Sequence, residues 1–366
     1  SAAVHHTFVE LLARFVVRRK SLPMVLIRSV WIRFLPRSLP SLPCALLTEE
    51  IYESSVFFKK ANRLGCIGGE IMTNVLVVYK KNFESVHDES LLQLKVILEE
   101  MESTHQLRIE MRARERVRRA DFIGRDLVIV LGGDGTLTSI SHNIDENTPV
   151  MGVNSHPVHS DKDGSVGFYM DSTLDTFADD FLAALNGKAI VNDLPRLRAI
   201  IDSTSGNRYT TDPAMNELLI ANTHQYAPSK YHLRRGEKNT KQQSSGLIFS
   251  TWLGQGAWFS HSLDLKTLDD LMSGIDDKDV DSHYFVLARD LSHKQREDER
   301  WAWVDWTDEP TQIMSDMHRG YVVPDGWDEV HFNRGASITV DLNAPKLRLL
   351  TFRQSMKDRL TQSIQR

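Results

Sequence analysis

The sequence predicts an α/β fold, with an open parallel sheet in an N-terminal domain followed by a C-terminal β-rich domain. Three observations carry this. Val75-Leu76-Val77-Val78-Tyr79 and Leu127-Val128-Ile129-Val130-Leu131 are short apolar runs rich in valine and isoleucine, as expected of strands buried on both faces of a parallel sheet. Each is followed by apolar residues at helical spacing. Beyond Asn192 the pattern changes to short strand-like stretches separated by turn residues, which reads as a mostly β region. At 366 residues the chain exceeds what one hydrophobic core usually serves, so two domains are expected.

The first strand starts after Asn74 and is closed by Lys80 and Lys81. Ser90 to Met101 then sets Leu91, Leu92, Leu94, Val96, Ile97 and Leu98 on a broad helical stripe. Arg108 to Arg119 reads as a strongly basic helix with few apolar anchors, whose ordinary role is a solvated face. The second strand runs straight into Gly132 and Gly133, and Leu137, Ile140 and Ile144 continue at helical spacing. Pro149 to Asn154 is the next strand and turn, and Asp175 to Leu185 the next helix. Strand, helix, strand, glycine turn, helix and strand in this order imply a parallel sheet built by crossover connections.

The α/β domain is expected over residues 70–195 and the β-rich domain over 196–352. Strands of the latter are expected at Leu197 to Ile201, Glu217 to Ala221, Leu247 to Thr251, Tyr321 to Val323, Ile338 to Leu342 and Leu347 to Phe352. Residues 266–300 are acidic with helical tendency and read as a helical insertion, and 353–366 as a C-terminal tail.

Hydrophobic residues make up 41% and charged residues 25% of the chain, the balance of an ordinary globular protein. A net charge of −5 argues against a general nucleic-acid or membrane-surface binder, which needs a positive field. Cys44 and Cys66 are the only cysteines and form no C-x-x-C, so neither a disulfide framework nor a cysteine zinc site is expected, and a reducing compartment fits. Residues 1–50 form a basic N-terminal extension. From Leu11 to Thr48 there is no Asp or Glu, arginine interrupts every apolar stretch, and four prolines break any long helix. That composition suits either a mitochondrial transit segment or a disordered extension; without such a segment a cytoplasmic location is expected.

Chemistry concentrates at Gly132-Gly133-Asp134-Gly135-Thr136, where a buried strand turns into a helix. Glycine permits positive φ and lets a ligand approach the backbone closely, and the following helix offers unpaired N–H groups at its positive end. The turn is therefore predisposed to phosphates. A carboxylate beside phosphates is repulsive unless it accepts a proton from an attacking hydroxyl or holds a bridging metal ion; the proton role is the reading adopted for Asp134.

Beyond this turn, Met215-Asn216-Glu217 and the segment from Ser245 to Trp258 follow in an order and approximate spacing that resemble the NAD kinase family, particularly its mitochondrial-type branch. Val150 to Asn154, Gly167-Phe168-Tyr169 and Asp325-Gly326 add weaker matches. The resemblance implies a nucleotide site between the two domains. It implies that Asp134 deprotonates the adenosine 2′-hydroxyl of NAD, which attacks the terminal phosphoryl of ATP. Gly132, Gly133, Gly135 and Thr136 would cradle phosphates, and Asn216 and Glu217 would bind ribose hydroxyls. Asn154, Gly254, Gln255, Gly256, Ala257 and Trp258 would complete the nucleotide site. Mg2+ would accompany ATP, and a homo-oligomer is implied.

One segment departs from the family pattern. Leu253, Gln255 and Gly256 stand where relatives usually carry hydroxyl or amine side chains, and Ser245 replaces the usual Asp before Gly246. Losing two or three hydrogen bonds of about 1 kcal/mol each would cost tenfold to a thousandfold in affinity, so other groups compensate, Gln255 and Trp258 first among them, or NAD is not the acceptor. Two other readings therefore stay open: a lipid or diacylglycerol-type kinase, which shares the glycine turn, and a non-catalytic relative that binds a nucleotide. His156, His159, Asp161 and Asp163 form a loop cluster able to bind a divalent ion, although such loops are ordinarily solvent-facing and no metal ligand is assigned. Trp301, Trp303 and Trp306 read as packing residues.

Overall fold

The computed structural model describes residues 72–81, 85–158, 164–276 and 278–364. The N-terminal extension and residues 159–163 of the histidine loop lie outside the described residues. Among the described residues no helix is long and apolar enough to cross a membrane.

A seven-stranded sheet has the order β2-β1-β3-β4-β19-β6, with β5 pairing to β4. Its strands are β1 (Thr73–Tyr79), β2 (Leu107–Ala113), β3 (Leu127–Gly132), β4 (Val150–Asn154), β5 (Ser172–Thr173), β6 (Ile190–Leu194) and β19 (Leu347–Thr351). All pairings are parallel except β6 with β19. Every residue of β3 and β4 is buried, as their unbroken apolar sequences require. On one face lie α1 (Ser85–Thr104) and α4 (Phe177–Leu185), through Leu94, Leu98, Phe177 and Phe181. On the other lie α3 (Asp134–Ser141) and the C-terminal helix, through Leu137, Ile140, Met356 and Leu360.

The remaining strands, β7 (Arg198–Asp202), β8 (Arg208–Thr210), β9 (Glu217–Asn222), β10 (Ser229–Arg235), β11 (Lys238–Ser244), β12 (Leu247–Ser250), β13 (Tyr284–Ala288), β14 (Val304–Thr307), β15 (Thr311–Ser315), β16 (Arg319–Pro324), β17 (Val330–Asn333) and β18 (Ser337–Asp341), form two antiparallel six-stranded sheets, β11-β10-β15-β18-β7-β8 and β14-β13-β12-β9-β16-β17. Leu197, Ile201, Tyr231, Leu233, Ile313 and Val340 of the first share one core with Leu218, Ile220, Phe249, Val286 and Val322 of the second, so the two sheets pack face to face.

Four sequence expectations are corrected. The basic stretch from Arg108 is edge strand β2, a 3-10 turn (Arg114–Arg116) and the one-turn helix α2 (Arg119–Phe122), not one helix. Leu107, Ile109, Met111 and Ala113 alternate with Arg108, Glu110 and Arg112, which is the period of a strand with one covered face. Residues 266–300 are not a helical insertion. They hold α6 (Leu265–Met272), then the fully buried core strand β13 (Tyr284–Ala288), then α7 (His293–Asp298). Residues 347–352 leave the β-rich region, because β19 pairs with β4 and β6 in the parallel sheet. Residues after 352 are no simple tail, since α9 (Met356–Ile364) buries Met356 and Leu360.

Candidate functional site

The parallel sheet sets the frame. From β1 the chain moves outward to β2, then returns to place β3 on the other side of β1 and continues to β4. The order therefore reverses between β1 and β3. In open α/β sheets the crevice outside the carboxyl ends of the strands at such a reversal is the usual ligand position. β3 ends there in the glycine turn, and β1 ends there in Lys80, whose N–H bonds the Leu131 carbonyl at 3.1 Å.

None of Gly132, Gly133 and Gly135 has a positive φ; the turn needs glycine for closeness instead. A Cβ on Gly132 would lie 2.4 Å from Thr136 Oγ1, and one on Gly133 would lie 2.9 Å from Ser165 Oγ. Thr136 is buried and packs inward on Gly132, whereas Gly135 is exposed. The open part of the turn is thus its Gly133 to Gly135 rim.

Asp134 opens α3 with its carboxylate turned toward the 165–169 loop. Oδ2 accepts the N–H groups of Gly167 and Phe168, each at 3.0 Å, and the Ser165 hydroxyl at 3.3 Å. Oδ1 accepts only the N–H of Tyr169, at 2.8 Å. A carboxylate offers about four lone-pair positions, so Oδ1 is the oxygen with room for another donor. Asn154 is buried and holds the same loop, donating to the Ser165 carbonyl at 3.1 Å and accepting the His156 N–H at 3.1 Å. Its amide is occupied with loop geometry.

Tyr169 reaches from this loop to the β-rich half, donating its hydroxyl to Asn216 Oδ1 at 2.6 Å. Burial pushes its phenol up well above the ordinary value. Asn216 and Glu217 sit at the start of β9 (Glu217–Asn222). Their backbone is fixed by Asp325, whose carboxylate accepts three successive N–H groups, from Met215 at 2.7 Å, Asn216 at 2.8 Å and Glu217 at 2.9 Å. Asp325 itself has φ +46°, a left-handed conformation that few non-glycine residues adopt. Its N–H returns a bond to the Glu217 carbonyl at 2.9 Å. Burial pushes the Asp325 carboxyl up to about 6, against the lowering effect of those three donors. Burial, and then the charge of Asp325, push Glu217 up to about 8.

The divergent segment closes over this pair. β12 (Leu247–Ser250) ends at Thr251, which caps a 3-10 turn (Trp252–Gly256) by accepting the Leu253 N–H at 3.1 Å. The Thr251 hydroxyl bonds the Met215 carbonyl, and the Asn216 carbonyl accepts the Thr251 N–H at 2.9 Å and the Ser250 hydroxyl at 3.1 Å. Gly254 lies so close that a Cβ there would come within 2.5 Å of the Asn216 carbonyl. Among the described residues, Glu217 Oε2, Gln255 Nε2 and Trp252 Nε1 are buried without a hydrogen-bond partner. One acceptor and two donors on a single wall is an arrangement that a polar ligand would satisfy.

The structure thus links Asp134 to Asn216 through Tyr169 and brings Gly254 against the Asn216 carbonyl, with Glu217 next along the chain. Gly256 is open to solvent, Ala257 is half-buried, and Trp258 is 41% exposed. Trp258 lies under the Arg289 guanidinium, 4.9 Å from ring centroid to carbon, on a separate cleft of about 350 Å³. Sequence reasoning gave no role to Ser165, Tyr169 or Asp325. Gly167-Phe168-Tyr169 and Asp325-Gly326 were visible as motif fragments, but their function is to hold other residues, which only contacts reveal. One set of metal-ligand type, His142, Asp212 and Asp328, brings its ligating atoms within 4.8 Å of one another, with the Arg119 guanidinium 3.8 Å from Asp212.

A glycine turn at a sheet reversal is thus linked through one tyrosine to a carboxylate-amide pair in an α/β protein. Residues 70–186 match the ATP-NAD kinase N-terminal domain. It is 30% identical over 149 residues to a probable NADH kinase of Oryza sativa subsp. japonica, covering 36% of this chain and 44% of that protein. It is 23% identical over 242 residues to an NAD kinase of Thermoplasma volcanium, covering 66% of this chain and 79% of that one. The chain therefore spans less than half of the rice relative. Two solved structures share the fold. Yeast NADH kinase complexed with NADH aligns with TM-score 0.59 at 12% identity, covering 82% of this chain and 89% of that one. An Archaeoglobus fulgidus NAD kinase in complex with ATP aligns with TM-score 0.56 at 15% identity, covering 80% and 99%.

Proposed function

We propose that this protein is an NAD kinase, transferring the terminal phosphoryl group of ATP to the adenosine 2′-hydroxyl of NAD to give NADP. The observation that carries the reading is Tyr169, which gives its N–H to Asp134 and its hydroxyl to Asn216. Through it the acid of the glycine turn and the diol-binding pair of the β-rich half meet in one site.

In this reading Asn216 and Glu217 orient the ribose, supplying a carbonyl oxygen and a carboxyl for two hydroxyl donors. Asp134 Oδ1, carrying a single loop donor, receives the 2′-hydroxyl proton as oxygen attacks phosphorus. The Gly133 to Gly135 rim and the start of α3 face the phosphates. Leu253 lies in the wall behind Asn216, and Gln255 and Trp252 supply donors in place of the side chains that the divergent segment lacks. Mg2+ takes most of its ligands from phosphates and water; bound with ATP, it would neutralise charge developing on the phosphates. We further read the protein as a homo-oligomer acting on soluble nucleotides, in the cytoplasm or, with a transit segment, in mitochondria.

Purified protein incubated with ATP, Mg2+ and NAD, NADH or diacylglycerol tests the reading. NADP or NADPH formation is expected, and phosphorylation of diacylglycerol alone, or calorimetric NAD binding without product, would overturn it. Asp134→Asn is expected to remove at least about 99% of turnover. It also sets an NH2 against backbone N–H donors and loses about 1–3 kcal/mol of stability, so turnover is normalised to the folded fraction. Near-normal turnover would remove Asp134 from the mechanism.

A further inference from the structure

A second cleft, of about 260 Å³, opens at the carboxyl ends of β1 and β2. Tyr79 and Lys81 border it from the β1 side, and Arg112 and Arg116 from the β2 side. Its one acidic wall residue is already neutralised: Glu110 receives Arg112 Nε at 2.8 Å on Oε1 and binds Arg125 through Oε2. Among the described residues neither Lys81 nor Arg116 has an ion-pair partner, so the cleft keeps uncompensated positive charge. It also lies at the same end of the parallel sheet as the glycine turn. β1 pairs with β2 on one side and β3 on the other, which puts the ends of β2 and β3 only about 10 Å apart at ordinary strand spacing.

We propose that the Lys81–Arg116 cleft is an anion subsite for the non-transferred phosphates of the phosphoryl donor. The glycine turn holds the phosphoryl group in flight and the cleft holds the leaving polyphosphate. This rests on the phosphotransferase reading for the identity of the anion; the cleft, its charges and its place at the switch point do not depend on the acceptor. Two cations recognise a phosphate chain as point charge and fork, so inorganic tripolyphosphate and the ATP tail are bound alike.

The test is calorimetric binding of tripolyphosphate and of ATP to wild type and to K81A/R116A, with steady-state kinetics in parallel. Both positions are exposed, so the variant folds, which its melting curve checks. Both ligands are expected to bind wild type and to weaken at least about tenfold in the variant, with donor KM raised alike, NAD KM within about twofold, and recovery in K81R/R116K. Unchanged affinity for both ligands, or no tripolyphosphate binding to wild type, would overturn the subsite. Weakening of ATP alone would overturn it too, because the cleft would then read the nucleoside. Tripolyphosphate bound through the cleft by a protein that makes no NADP would leave the subsite standing and remove the NAD reading.

Discussion

Tyr169 donates its hydroxyl to Asn216 Oδ1 at 2.6 Å across 47 residues of sequence, and its own N–H fixes Asp134 Oδ1 at 2.8 Å. Removing the hydroxyl should separate positioning from chemistry. Tyr169→Phe leaves the half-buried Asn216 amide oxygen without this donor, so stability is expected to fall by about 1 kcal/mol. NAD KM should rise about tenfold with a smaller change in kcat, as steady-state kinetics would show; unchanged NAD KM would mean that the pair does not meet the ribose.

Asp325 acts one layer further back. Its carboxylate takes three consecutive N–H groups on the strand that carries Asn216 and Glu217. Asp325→Ala orphans all three, and a loss of about 3 kcal/mol or more is expected in chemical denaturation. A loss under about 1 kcal/mol would show that water replaces the carboxylate.

The raised carboxyl of Glu217 fixes the sign of a pH effect. Its pKa rises from 4.5 to about 8 on folding, so between those values the folded state binds more protons than the unfolded chain. Stability must then fall as pH rises through that window. Asp325, raised from 3.8 to about 6, adds a fall over the lower part. Glu217→Gln, which cannot ionise, should flatten the decline in melting temperature between about pH 5 and 8. An equally steep decline in this variant would place the titration elsewhere.

Two glycines two residues apart in the divergent turn should respond differently. Gly254→Ala drives a Cβ into the Asn216 carbonyl at 2.5 Å and Ser250 Oγ at 2.4 Å, so a loss of about 1–3 kcal/mol and of most activity is expected. At Gly256 a Cβ meets nothing within 4 Å, and Gly256→Ala should be neutral in melting temperature. Activity assays and melting curves on the two variants decide whether the turn serves by closeness to Asn216.

Much of the fold was legible where one residue's neighbours in sequence are also its neighbours in space. The unbroken apolar runs of β1, β3 and β4 and the spacing of Leu137 and Ile140 were enough to read sheet and helix. Strand β2 was misread because an edge strand with one solvated side carries charges at every second position, and Arg108, Glu110 and Arg112 mask the alternation beneath them. Strands β10 (Ser229–Arg235) and β11 (Lys238–Ser244) went unread for the same reason. They alternate buried and exposed residues, but serine, threonine, glutamine and arginine occupy several buried positions. Arg235, for example, is buried on Asp305 at 2.5 Å.

By itself the sequence determined the strand-to-helix turn and its acid at position 134, because both depend on residue type and on short-range backbone geometry, whereas the Asn216-Glu217 pair was singled out only through the family resemblance. Tertiary structure alone decided that β19 returns to the parallel sheet, that Tyr169 ties Asp134 to Asn216, and that Asp325 pins the strand behind them. Those are pairings between segments tens to hundreds of residues apart. Their partners are chosen by which polar groups remain unsatisfied once the layers have packed, and no local pattern records that choice.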